Sequence, residues 1–403
     1  MDIRIFKTTL KILAITCCSL ASAKPSSATF DSGAQQMLAS HYLKYKNAEY
    51  FSAISLSVNL PNEKIKNYYV GYTSHQANAP AITASTLFQI GSITKSFTAA
   101  IMLQLEKEGK FKLSDPIKHL LLAYPKWGDI TVEQLLNMTS GLPNYSDTPL
   151  WNTQEYQHPT HTWSNQQLID FVYPTNSLNP PRKSGYFYTN TGYILADMIV
   201  QKVTLEYFAS ELERRMIKPA NLMNTFYPLP TMSSDLAERL AHGYNYNQYD
   251  NPALVGQDAQ TNNLSWAGAA GGLISTSEDI TKWVKALFID ETILDKTQKI
   301  SLTRMVSVNT GKPIKQTSEN EPRGFGLGVI QSYDKSIGRF WFYEGETLGY
   351  RALYMYVPCN QVIISSIFNS ATNSENDHSK ELMLGIYQLA LQNHPKLACQ
   401  TSG

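Results

Sequence analysis

Three scarcities bound what this chain can be. It has 4 Cys in 403 residues, too few for a disulfide-dense scaffold or a cysteine-rich zinc module. Its 34 Lys and Arg stand against 33 Asp and Glu, a formal net charge of +1, and so even a balance offers no electrostatic footprint for nucleic acid or a membrane surface. Past the N-terminus no apolar run approaches the ~20 residues that span a bilayer. Internal repeats and low-complexity tracts are absent as well, which excludes solenoids and long disordered linkers. His158 and His161 stand three apart in a loop of Pro and Thr, without a carboxylate or cysteine cluster, so no metal and no other cofactor is expected. What remains is an ordinary globular composition, 43% hydrophobic and 17% charged, long enough to bury a large core.

The N-terminus reads as an address rather than as structure. "MDIRIFKTTLKILAITCCSLASAKP" opens with Arg4, Lys7 and Lys11, runs apolar from Ile12, and reaches Ala21-Ser22-Ala23, the small-x-small pattern of a cleaved secretory signal. A signal peptide over 1–23 therefore implies an exported protein, periplasmic or released; an uncleaved anchor or a buried helix is the other reading. Cleavage removes three basic residues and Asp2, leaving 31 basic and 32 acidic residues and a net charge of −1. Two cysteines then survive, Cys359 and Cys399. In an oxidising compartment an even pair reads as one disulfide, tying the C-terminal tail to a strand end, although spacing alone does not show that the sulfurs meet.

Hydrophobic periodicity gives the layout. "ATFDSGAQQMLASHYLKY" reads as a helix; "SAISLSVNL" (52–60) alternates polar and apolar and, after Pro61-Asn62, joins "NYYVGYTS" in a hairpin. From Ser92, Ile93, Phe97, Ala100, Ile101 and Leu105 recur at helical spacing, and the chain to about 260 alternates short helices with loops. "WAGAAGGLISTSEDITKWVKALF" approaches a helix with Ser275 or Ser277 as its cap. "GFGLGVIQSY", "RFWFYEG", "YRALYMYVP" and "NQVIISSIFNS" are β-like, and "SKELMLGIYQLALQ" closes helical. Strands at both ends with helices between predict an α/β (α+β) fold: an antiparallel sheet flanked by helices and built from both chain ends (about 30–90 and 265–403), with a mostly helical region (about 92–260) inserted, all within one domain over 24–403.

Within that layout three stretches can carry chemistry. In "FQIGSITKSFTAAIMLQL", Ser92 sits at a helix start and Lys95 lies on the same face. A desolvated lysine near a positive helix end is a neutral base able to take a serine proton, though S-x-x-K alone is short and a solvated helix start would look the same. In "SGYFYTNTGYILADMIV", Tyr188 and Asn190 flank Thr189 before a helix, offering a phenol to relay a proton and an amide to hold a carbonyl, or merely a cap. In "WFYEGETLGYRA", Gly345 stands where a strand meets a turn and allows another backbone to approach closely.

The order Ser92-Ile93-Thr94-Lys95, Tyr188-Thr189-Asn190 and a third motif ending in Gly345 resembles the penicillin-recognising serine hydrolases: class C β-lactamases, D-alanyl-D-alanine carboxypeptidases and their esterase relatives. "GKFKLSDPIKHLL", "ITVEQLLNMTSGLPNY", "YTNTGYILADMIV", "AGAAGGLISTSEDITKW" and "GFGLGV" follow in the order typical of that family, so the likeness covers roughly 35–370. It implies a β-lactamase/transpeptidase-like fold with the active site between sheet and inserted region. By likeness Ser92 is the nucleophile, Lys95 its base, Tyr188 the proton relay and Asn190 the substrate-amide contact; the N–H groups of Ser92 and Glu346 form the oxyanion hole, with Tyr343 in the third motif.

One departure bears on the substrate. The family opens its third motif with Lys or His and a small or hydroxyl residue; here stand Tyr343-Glu344-Gly345. Without that cation the grip on a substrate carboxylate weakens, Glu344 would repel it if it faced the cleft, and Arg351 becomes the candidate replacement. The sequence therefore supports an acyl-enzyme hydrolase of D-alanyl peptides or related amides, with β-lactams as inhibitors or poor substrates. A carboxylesterase and an inactive secreted binding or assembly protein stand as alternatives.

Overall fold

The computed structural model describes residues 29–175, 181–249 and 252–399; the expected signal at 1–23 lies outside them. Nine strands form one antiparallel sheet: β1 (Ala53–Asn59), β2 (Lys66–Gly71), β3 (Met305–Ser307), β4 (Pro313–Ile314), β5 (Arg323–Phe325), β6 (Ile330–Asp334), β7 (Gly338–Thr347), β8 (Tyr350–Val357) and β9 (Val362–Phe368), in the order β2-β1-β9-β8-β7-β6-β5-β3-β4. The first hairpin thus joins strands from the far end of the chain, with Ser55 opposite Ile367. This is the fold class expected.

Helices cover both faces. On one, α1 (Phe30–Tyr45) and the C-terminal helix Ser379–Asn393 bury Leu38 and Ile386 against Leu56, Leu353 and Ile364. On the other lies Ser277–Phe288, whose Trp283 stacks on Phe97 at 3.7 Å between ring centres. The β1 serines, the polar positions of the alternating stretch 52–60, are buried like their apolar neighbours. Ser55 and Ser57 each meet Ser277 Oγ at 2.7 Å, so hydroxyl pairing between sheet and helix replaces water.

The cap of that helix is neither serine. Thr276 takes the position, its hydroxyl accepting from Asp279 N at 3.2 Å, while Ser277 turns to the sheet. Helix α2 (Thr94–Lys107) runs through the core, buried on nearly every face between the sheet layer and the inserted region. Its polar residues are satisfied internally: Ser96 Oγ accepts from Trp283 Nε1 at 2.8 Å, and Thr98 donates to Ala269 O at 2.7 Å. Among the described residues no helix is long and apolar enough to cross a membrane. Cys359, in the turn between β8 and β9, is bonded to Cys399 with Cα atoms 5.8 Å apart.

Removing the Thr276 hydroxyl while keeping its backbone should cost about 1 kcal/mol. Urea unfolding of Thr276→Ala against Ser277→Ala measures it, and a larger loss at Ser277 would assign the stabilisation to its sheet bonds instead.

Candidate active site

Ser92 sits in a single turn of 3-10 helix, Gly91–Ile93, that leads directly into α2. One turn on, Lys95 is fully buried. Its Nζ lies 2.9 Å from Ser92 Oγ, 2.7 Å from Asn190 Oδ1 and 2.8 Å from Ala270 O. None of the three is a carboxylate. Burial without a counter-charge drives the amine below its ordinary pKa. A neutral amine has two N–H donors and one lone pair. Asn190 Oδ1 and Ala270 O can only accept, so they take the two N–H groups, and the lone pair is left facing the Ser92 hydroxyl.

Tyr188 OH completes the group by donating to Ser92 Oγ at 2.7 Å. Behind it stands Tyr343, 3.4 Å from the Tyr188 oxygen and 1% exposed. For Tyr188, burial opposes ionisation, but a proton on Lys95, whenever that amine carries one, outweighs it together with the hydrogen bonds to Lys95, Ser92 and Tyr343 and sets the phenol below its ordinary value. Burial holds Tyr343 well above. The less acidic phenol therefore supports the more acidic one, giving a line Tyr343, Tyr188, Ser92, Lys95.

Glycines let the backbones meet. Residues Trp341 and Phe342 of β7 pair with β6, but from Tyr343 to Thr347 the strand pairs only with β8. The Ser92 turn fills the vacated side. A Cβ on Gly345 would lie 2.0 Å from Ile90 O and 2.8 Å from Ser92 N, and one on Gly91, at φ +49°, would lie 2.6 Å from Glu346 N. Gly328, in "GFGLGV", likewise lets its loop press on Lys95 O, which a Cβ would approach to 2.6 Å. Ser92 and Glu346 both reach a cleft of about 770 Å³ between sheet and inserted region.

Other expected residues are placed less simply. Asn190 precedes helix Thr191–Thr204 without capping it; Lys95 takes its oxygen, and its Nδ2 donates to Ser146 Oγ at 3.1 Å. Tyr343 backs Tyr188 and is not part of the cleft wall, whereas Glu344 is. Arg351 does not replace the missing cation. It shares the sheet face of its cross-strand neighbour Glu346, but it is fully buried and held by Glu49 Oε2 and Asp377 Oδ1, each at 2.8 Å, which keep it out of the cleft wall. Burial and Asp377 push Glu344 up to about 7, and Lys380 Nζ stands 3.3 Å from its Oε2. Sequence reasoning missed Asn144, Ser146 and Asp147, which wall the cleft from the segment after "TSGL", Trp151 from the helix Pro149–Gln157 that follows, and Asn247 from a loop with no helical or strand signal.

The same family emerges from comparison. A family model described as Beta-lactamase matches residues 45–387, and the chain belongs to that family. It is similar to Penicillin-binding protein 4* of Bacillus subtilis (strain 168), 26% identical over 73% of this chain and 63% of that protein. It also resembles Unguisins hydrolase ungD of Aspergillus violaceofuscus (strain CBS 115571), 29% identical over 53% of this chain and 38% of that protein. The match thus spans less than two thirds of either relative. Among solved structures, the D-amino acid amidase of Ochrobactrum anthropi SV3 complexed with L-phenylalanine amide superposes with a TM-score of 0.73 at 25% identity, over 90% of this chain and 99% of that one.

The lowered lysine carries a sign that stability can report. Between the folded pKa of Lys95 and the ordinary lysine value of about 10.4, the unfolded chain binds the extra proton, so stability rises with pH. Lys95→Met should therefore melt higher than wild type at neutral pH, with the gap narrowing as pH climbs towards that value. Thermal melts across pH check it, and a constant gap would mean the amine is not titrating abnormally.

Proposed function

We propose that this protein is an exported acyl-transfer serine hydrolase that cleaves amides of the D-alanyl type through an ester on Ser92. The observation that carries this is the fully buried Lys95 amine 2.9 Å from Ser92 Oγ, with the Tyr188 phenol 2.7 Å from the same oxygen. Ser92 Oγ attacks the substrate carbonyl and its proton passes to Lys95. The negative oxygen that forms is met by the N–H groups of Ser92 and Glu346. Collapse breaks the C–N bond, and Tyr188, resupplied from Lys95, protonates the departing amine. Water then adds to the ester carbonyl and gives a proton to the same pair; the acyl C–Oγ bond breaks, Ser92 Oγ takes that proton back and the acid leaves, so water is the sole co-reactant.

The likeness to a D-amino acid amidase supports an amide over a lactam. A carboxylic ester is the second reading, favoured by the replacement of the usual third-motif cation with Tyr343 and Glu344. An alkoxide leaves more readily than an amine and demands less of the site.

Turnover should be measured on a panel of D-alanyl amide, D-alanyl dipeptide, short p-nitrophenyl ester and chromogenic cephalosporin. Ser92→Ala should lose about four orders of magnitude or more on every active substrate, and Tyr188→Phe about a hundredfold. Gly345→Ala, by pushing the strand off the Ser92 turn, should lose about a hundredfold with the fold intact. Mass spectrometry should find the acyl group on Ser92. Undiminished turnover in Ser92→Ala would overturn the mechanism, and ester turnover without amide turnover would select the second reading.

A further inference from the structure

We infer that the cleft selects substrates whose acyl half carries a free, protonated amine, with the Glu346 carboxylate as its receptor. The inference rests on the acyl-Ser92 reading and narrows the substrate within it. Among the described residues, the cleft wall includes Asp147, Glu344 and Glu346 but no Lys, Arg or His. Carboxylates outnumber cations around it among the described residues: Lys380 stands beside Glu344, Arg351, opposite Glu346 on the neighbouring strand, is shared with Glu49 and Asp377, and Lys95 is held neutral by burial. The field at the wall is therefore negative, which attracts an ammonium and repels a carboxylate.

Glu346 has the position to use that field. Its main chain touches Gly91, next to Ser92, on the side where the scissile carbonyl oxygen must lie, and its side chain lines the same cleft. In an aminoacyl amide the α-amine is one carbon from the scissile carbonyl. One residue thus meets both ends of the group, the N–H facing the carbonyl oxygen and the carboxylate facing the amine. Asn247 Nδ2 donates to Glu346 Oε1 at 2.9 Å and orients it, while Asp147, held by Asn144 Nδ2 at 2.7 Å, adds charge from the inserted region.

A second feature of the wall points independently to a polar ligand. Thr347 and Trp151 are 5% and 2% exposed and both line the cleft, yet Thr347 Oγ1 and Trp151 Nε1 have no hydrogen-bond partner. Buried polar atoms of this kind are normally satisfied. They suit a small substrate with hydrogen-bonding groups close to its reacting carbon rather than a long apolar acyl chain.

The test compares D-alanine p-nitroanilide with its N-acetyl derivative at neutral pH, where an α-amine with a pKa near 7.7–8.0 is mostly charged. Wild type should favour the free amine in kcat/KM by about tenfold or more. In Glu346→Gln that ratio should fall towards one. Raising NaCl from about 50 to about 500 mM should shrink the ratio in wild type, a readout that needs no variant. Equal rates on the two anilides in wild type, or a ratio unchanged in Glu346→Gln, would overturn the amine preference while leaving acyl-Ser92 standing. Failure of Ser92 to be acylated by any substrate would instead sink the reading beneath it.

Discussion

A lysine amine taken out of water and given no carboxylate governs this molecule. Burying it as an ammonium would cost several kcal/mol, so the fold must hold it neutral and supply two acceptors and one donor. Those partners come from separate parts of the chain: Ser92 from its own turn, Asn190 from the start of an inserted helix, and the Ala270 carbonyl from the glycine-rich approach to another. Convergence of these segments on one nitrogen fixes where sheet and inserted region meet. The placement of the Ser92 hydroxyl is a by-product of satisfying the amine.

Glycine is the second constraint, and it operates between backbones. The β7 strand gives up its pairing with β6 just where the Ser92 turn arrives, and side chains at positions 91 and 345 would force the two apart. Main-chain N–H groups can then point to one spot, which suits a charge that exists only during reaction. A glutamate can follow Gly345 because its main chain alone meets the Ser92 turn, leaving its side chain to line the cleft.

Much of this was legible in the chain. The hairpin at 52–71, the late strands and the terminal helices follow from the spacing of their apolar residues, although β1, β8 and β9 are buried on both faces. Ser92, Lys95 and Tyr188 were legible from spacing and order, and the structure brings them within hydrogen-bond reach. Other readings failed where one-dimensional cues run out. The β1 serines are only the polar half of an alternating stretch until Ser277 is brought opposite them, and that same contact leaves Thr276 to cap the helix. Arg351 looks available until folding brings Glu49, some three hundred positions earlier in the chain, and Asp377 up to its guanidinium. Asn247 had no signal because a loop residue acquires its partner only when Glu346 is placed beside it.

The pairing of β1 with β9 carries a temporal consequence. A strand near the beginning of the chain must wait for residues 362–368 before its hydrogen bonds can close, and the C-terminal helix must follow before its apolar face is covered. Contacts so distant in sequence form slowly. The first hairpin therefore keeps one edge open until residues 362–368 have been made, and no shorter stretch of the chain holds the complete sheet.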